Sequence, residues 1–111
     1  MLHTISLKEN AVFRRLYHRG NSAGSRYMVV YCRPNGTRAS RLGFTVSTKL
    51  GHAVVRNRVR RRLREVYRNT ESSLKPGYDI VVVARSATVD AEFALLERTF
   101  RHLCGKLEIL A

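Results

Sequence analysis

Seven arginines fall within the thirteen residues from Arg56 to Arg68, together with Asn57 and a single acid, Glu65. A guanidinium is a planar, permanently charged fork of N–H donors. It can meet phosphate oxygens two at a time and stack on flat rings, where a lysine ammonium offers only a point charge. At 100° per residue, Asn57, Arg61, Arg64 and Arg68 recur as one stripe of a helix spanning 54–68. Arg58 and Arg62 flank the stripe on one edge, Arg60 lies on the other, and Arg56 opens the run. Val55, Val59, Leu63, Val66 and Tyr67 share an arc of about 120° on the opposite side, the width of a packing face. A merely solvated face normally mixes both signs. Here like charges repel by roughly 0.2–0.5 kcal/mol per neighbouring pair, which solubility alone does not require. The stripe points to a polyanion, with Glu65 placed to pair with Arg61 or Arg62.

The whole chain agrees. Its 21 Lys+Arg against 8 Asp+Glu give a formal net charge of +13, and 17 of the 21 bases are arginine. A membrane-surface segment would favour lysine and exposed Trp beside flexible ends. With no Trp and the bases concentrated on one helix, nucleic acid is the better match. Catalytic and metal motifs are missing. His3, His18, His52 and His102 are scattered, and Asp79, Asp90, Glu92 and Glu97 are too spread for a carboxylate cluster. No metal site is expected on the chain. Cys32 and Cys104, 72 positions apart in apolar stretches, read as small core residues in a reducing compartment. Met1–Thr4 has no signal-peptide pattern and no apolar run spans a bilayer, so a cytoplasmic location without membrane contact is expected.

The elements that must position the stripe follow from periodicity. Ser6 and Glu9 have capping-box spacing, opening a helix whose Val12, Phe13, Leu16 and Tyr17 share a face and which ends near His18 and Gly20. Residues 27–32 alternate as a strand with Tyr27, Val29 and Tyr31 on one side. Asn35-Gly36 turns the chain back into a second strand, 41–47, where Leu42, Phe44 and Val46 oppose Gly43, Thr45 and Ser47. The unbroken apolar run Ile80-Val81-Val82-Val83-Ala84 predicts a central strand buried on both faces. Asp90 is expected to cap a last helix that turns Phe93, Leu96, Phe100, Leu103 and Leu107 inward. The elements read here run αβ(β)αβα, and the expectation is a single α/β domain over 1–111, an α+β two-layer sandwich of full order αβββαβα.

Residues 54–68, with Arg56-Asn57-Arg58, a following basic pair and Arg64, resemble the signature helix of the bacterial ribonuclease P protein family. The likeness extends to Phe13, Tyr17 and Gly20, to Gly43-Phe44-Thr45-Val46-Ser47 before Lys49-Leu50-Gly51, and to Asp79–Arg85. Thr48-Lys49 stands where many members have two lysines. The resemblance implies a small mixed sheet with a left-handed βαβ crossover, the fold of the second domain of a small-subunit ribosomal protein. It implies a subunit that assists removal of the 5′ leader from precursor tRNA, with catalysis by Mg²⁺ held mainly by the RNA subunit. No catalytic residue and no obligate protein partner are expected here. Arg56, Asn57, Arg58, Arg60, Arg61, Arg62, Arg64 and Arg68 are the residues matching the RNA-subunit contact. Phe13, Tyr17, Tyr27 and Tyr31 match the aromatics of the leader cleft, with Lys49, Arg85 and Arg14 at its rim. About five phosphate contacts would give a log–log salt slope of roughly −4. The rival readings are a small basic ribosomal or other structural RNA-binding protein without a role in cleavage, and a DNA-binding regulator. The latter would need a helix-turn-helix pair and usually a dimer surface.

Overall fold

A computed structural model describes residues 4–111. His3 and the rest of the Met1–His3 segment lie outside the described residues, and with them part of the expectations on the N-terminus and on the histidines. Five strands form one mixed sheet in the order β1-β4-β5-β3-β2. They are β1 (Thr4–Ser6), β2 (Asn21–Gly24), β3 (Met28–Pro34), β4 (Ser40–Thr45) and β5 (Tyr78–Ala84). Three helices accompany them: α1 (Asn10–Arg19), α2 (Ala53–Thr70) and α3 (Phe93–Lys106). The expected αβββαβα order is present, preceded by the short edge strand β1.

β5 is the centre of the sheet, parallel to β4 and antiparallel to β3. Its alternation feeds two cores, as an all-apolar strand must. Ile80, Val82 and Ala84 join Met28, Val30, Cys32 and Leu42 beneath α2 and α3. Val81, with Val83 beside it, turns to the other face and meets Val12 and Leu16 of α1. The sheet with α2 and α3 forms the expected two layers, and α1 adds a third on the opposite face. Cys32 and Cys104 are free and buried in the larger core. Burial pushes their thiols up to about 11 and about 12, keeping both protonated and inert at neutral pH.

Three local expectations are corrected. Ser6 is not a helix cap. It pairs in parallel with Leu42, and the Leu7 N–H extends the ladder by donating to the Leu42 C=O at 2.8 Å. Glu9 occupies the cap position of α1. Likewise Glu92, not Asp90, precedes α3, because a 3₁₀ turn over Ser86–Thr88 uses up the chain before it. The Asn35-Gly36 turn is real, with Gly36 at φ +74°. It does not close a hairpin, however, because β5 inserts between β3 and β4.

Candidate nucleic-acid interface

The packing side of α2 is the one its apolar spacing predicts. Val59, Leu63, Val66 and Tyr67 are each at most 2% exposed. Burial of this size stabilises by roughly 1.5–3 kcal/mol per large apolar side chain, an upper estimate. Asn57, Arg58, Arg61, Arg64 and Arg68 face solvent, while Arg56, Arg60 and Arg62 are half-buried along the edges.

The arginines are not equivalent. Arg56 donates from Nε to the Gly51 C=O at 3.2 Å, tying the helix to the loop before it. Arg60 donates to Asn57 Oδ1 at 3.1 Å. Arg62 leaves the stripe altogether: its guanidinium donates to the C=O groups of Thr88 and Ala91, across the turn that leads to α3. Glu65 pairs with Arg68 at 2.6 Å, one turn along the exposed face, instead of with Arg61 or Arg62. Arg62 is drawn away by backbone carbonyls that sequence spacing cannot see. Among the described residues, Arg58 and Arg61 bond to no protein group. Arg64 places its guanidinium carbon 6.0 Å from the centre of the Phe44 ring, within cation–π range.

Phe44 leads to the second surface. β1 stops at Ser6, so the outer edge of β4 beyond Leu42 is left to α1 instead of a strand. Between them lies a cavity of about 510 Å³ lined by Phe13, Arg14 and Tyr17 of α1 and by Phe44, Thr45 and Val46. Tyr17 Oη and Thr45 Oγ1 are 2.6 Å apart and hydrogen-bonded. The Tyr31 ring meets Tyr17 edge-on, with centroids 5.0 Å apart and planes at 72°. Phe13 can lie on the sheet because Gly43 has no side chain: a Cβ there would sit 2.4 Å from Phe13 Cζ. Tyr17 stays 39% exposed, which is unusual for a ring whose only role is packing.

Phe13, Arg14 and Tyr17 are thus brought together on the cavity wall, and Tyr31 stands off the wall, against Tyr17. Tyr27 is not among them. It precedes β3 in a turn where Ser25 Oγ accepts from the N–H groups of Tyr27 and Met28. Its ring packs on the larger core and lines a different depression with Arg26, Ala87 and Ala91. Lys49 is exposed in the 3₁₀ turn Thr48–Leu50 and does not line the cleft. Arg85 donates to the Ser25 C=O at 3.0 Å and also lies off the cleft. Phe44, Thr45 and Val46 are cleft residues that sequence reasoning missed; it separated them by strand face only, and Phe44 and Val46 also pack on the larger core. Their only signal was position, at the end of a strand whose outer neighbour is short.

Among the described residues, no three of His, Cys, Asp and Glu are gathered to hold a metal ion. No helix among the described residues is long and apolar enough to cross a membrane.

Comparison with known proteins agrees with this geometry. The Ribonuclease P family model matches residues 1–108. The ribonuclease P protein component of Clostridioides difficile is 41% identical over 107 residues, 96% of this chain and 94% of that protein. That of Caldanaerobacter subterraneus is 42% identical over 100 residues, 90% of this chain and 86% of the other. The solved ribonuclease P protein of Staphylococcus aureus superposes with a TM-score of 0.85 at 34% identity, covering 96% of this chain and 97% of that one. The Thermotoga maritima protein gives 0.78 at 32%, covering 88% and 94%. A chain matched over nearly its whole length by model, sequence and structure belongs to the ribonuclease P family, as the protein component of that tRNA-processing endoribonuclease.

Proposed function

We propose that α2 docks this protein onto ribonuclease P RNA and that the cleft between α1 and β4 receives the single-stranded 5′ leader of precursor tRNA. As a ribonuclease P protein component, the chain partners with ribonuclease P RNA. Arg58, Arg61 and Arg64, with Asn57, are the groups available to phosphates and sugar edges. Arg56 and Arg62 tie α2 to its neighbours, while Arg60 and Arg68 pair within the helix with Asn57 and Glu65. In the cleft, Phe13 and Tyr17 offer ring faces and edges that any base can meet, Tyr31 backs Tyr17 edge-on, and Arg14 supplies a cation for the backbone. The bond-breaking chemistry belongs to Mg²⁺ on the RNA; this chain binds, orients and screens charge. The same role places it in the cytoplasm.

One observation carries the reading. The Phe44 ring bears Arg64 of the arginine stripe and also lines the aromatic cleft, so the two surfaces adjoin. An RNA docked on α2 would have its substrate's single strand within reach of the cleft.

The test is reconstituted cleavage of precursor tRNA by ribonuclease P RNA at low Mg²⁺, with binding of precursor and mature tRNA measured beside it. The wild-type protein should rescue cleavage. Replacing Phe13 and Tyr17 with Ala should weaken precursor binding about tenfold or more, at roughly 1–3 kcal/mol per stacked base, and leave mature tRNA binding unchanged. Equal losses for both RNAs would mean the aromatics serve only the core.

A further inference from the structure

On the α1 face of the sheet, at the end away from the aromatic cleft, Arg33, Asp79 and Arg41 stand side by side across three strands. The register places Arg33 opposite Asp79 and Arg41 beside it. One carboxylate thus lies between two guanidinium groups, and it is fully claimed from one side. Arg41 donates from Nε to Asp79 Oδ1 and from its terminal nitrogen to Oδ2, both at 2.7 Å. Asn35 Nδ2 adds a third bond to Oδ1 at 3.1 Å. Arg33 is left out: its Nη1 is buried with no hydrogen-bond partner. A cavity of about 210 Å³ adjoins it, walled by Arg15 of α1 and by Asn35, Arg41 and Asp79.

Three cations and one anion leave the cavity lining at +2. A guanidinium N–H taken from water without an acceptor is costly, more so than a neutral group in the same position. The volume is several times the roughly 30 Å³ that one water occupies in the liquid. An acceptor with several oxygens and a negative charge would satisfy Arg33 Nη1 and offset the excess charge from Arg15.

We infer that this cavity is an oxyanion site, taking a phosphate group through Arg33 and Arg15, separate from both the arginine stripe and the leader cleft. The phosphate has two sources: free inorganic phosphate, or a phosphodiester of bound RNA.

The experiment titrates the full chain with inorganic phosphate, with sodium chloride at matched ionic strength as the control. Thermal unfolding and the ¹H–¹⁵N side-chain resonance of Arg33 are followed. Phosphate should raise the unfolding temperature saturably and move the Arg33 resonance with the same midpoint, and chloride should do neither. Arg33→Gln should weaken phosphate affinity at least tenfold, and the Arg58→Ala, Arg61→Ala variant should keep it. To separate the sources, binding to ribonuclease P RNA is measured against salt. A slope shallower by about 0.7–0.9 in Arg33→Gln assigns the site to a phosphodiester, and an unchanged slope with lost phosphate response assigns it to free phosphate. A stationary Arg33 resonance in the wild type would overturn the inference, whatever the variant's stability. So would an Arg33→Gln chain that keeps the full phosphate response.

Discussion

Gly43→Ala is the smallest change that should deform the aromatic cleft between α1 and β4, proposed above to receive the leader. The added Cβ would lie 2.4 Å from Phe13 Cζ, 2.9 Å from Cε1 and 3.3 Å from Leu7 Cβ. The first two distances are impossible, so the Phe13 ring must leave its seat on β4. Overpacking of this kind costs about 1–3 kcal/mol. Alanine itself suits a strand better than glycine by roughly 0.5–1 kcal/mol, which offsets only part of that. The net expectation is a loss of about 1–2 kcal/mol in wild-type background. With Phe13 already replaced by Ala the clash disappears, and Gly43→Ala should become neutral or slightly stabilising. Urea unfolding of the four proteins in a double-mutant cycle measures the difference, expected at about 1–3 kcal/mol of coupling. Precursor-tRNA binding by Gly43→Ala should fall toward that of Phe13→Ala. If Gly43→Ala costs the same in both backgrounds, the steric account of how the ring is seated is wrong.

The arginines of α2 should separate by assay. Replacing Arg58 and Arg61 with Ala should flatten the salt dependence of RNA binding by about 1.5–2 in log–log slope with little effect on unfolding. Arg62→Ala should instead lower stability by roughly 1–3 kcal/mol, leaving the Ala91 C=O without its donor and the Thr88 C=O with the Ala91 N–H alone, and barely change the slope. Phe44→Leu removes the ring under Arg64 and should weaken both RNA-subunit and precursor binding by a few-fold each, measured by equilibrium titration. The buried thiols set an alkaline limit. Their pKa values rise from 9.0 to about 11 for Cys32 and about 12 for Cys104, so the folded state holds protons that the unfolded chain releases. Their contribution is complete below pH 9 and is lost as pH rises through the folded values, on the order of 2–4 kcal/mol by pH 10.5. A Cys32→Ala, Cys104→Ala chain should show a visibly shallower decline between pH 9 and 11 in denaturant titrations.

Periodicity made the large elements readable. The phase of Val55, Val59, Leu63, Val66 and Tyr67 fixed which side of α2 is covered, because a fully helical segment repeats one geometry along its length. The run Ile80–Ala84 disclosed a strand between two cores because only burial on both faces tolerates it. The edge strands were another matter. Asn21–Gly24 and Thr4–Ser6 are short and largely polar, and they are strands because β3 and β4 offer them a ladder. Ser6-x-x-Glu9 has cap spacing, but the pairing of Ser6 with Leu42 holds that residue in extended backbone. The site was legible in the same unequal way. Phe13 and Tyr17 follow helical spacing and meet, whereas Tyr27 escapes the strand alternation by standing one residue before β3 begins. The destination of Arg62, two carbonyls 26 and 29 residues away, is a tertiary fact with no local signature.

That destination also answers how a stripe of like charges can be both tolerated and useful. Arg56, Arg60, Arg62 and Arg68 each find an acceptor on the protein, so their charge is partly met by carbonyl dipoles, an amide and Glu65. Arg68 also faces solvent but is paired with Glu65, which leaves Arg58, Arg61 and Arg64 exposed and without an acceptor among the described residues. Three phosphate contacts correspond to a slope of roughly −2 to −3, shallower than the −4 that five would give. Arg56 fixes the helix against the loop before it and Arg62 against the turn before α3, and this rigidity reduces the ordering cost of docking. Arg64 gains further from the Phe44 ring, which limits its rotamers and aims it beside the cleft. On the proposed docking, a guanidinium held in that position would meet the RNA beside the cleft, so the two surfaces would need no conformational signal between them to act on one complex. Shared walls suffice.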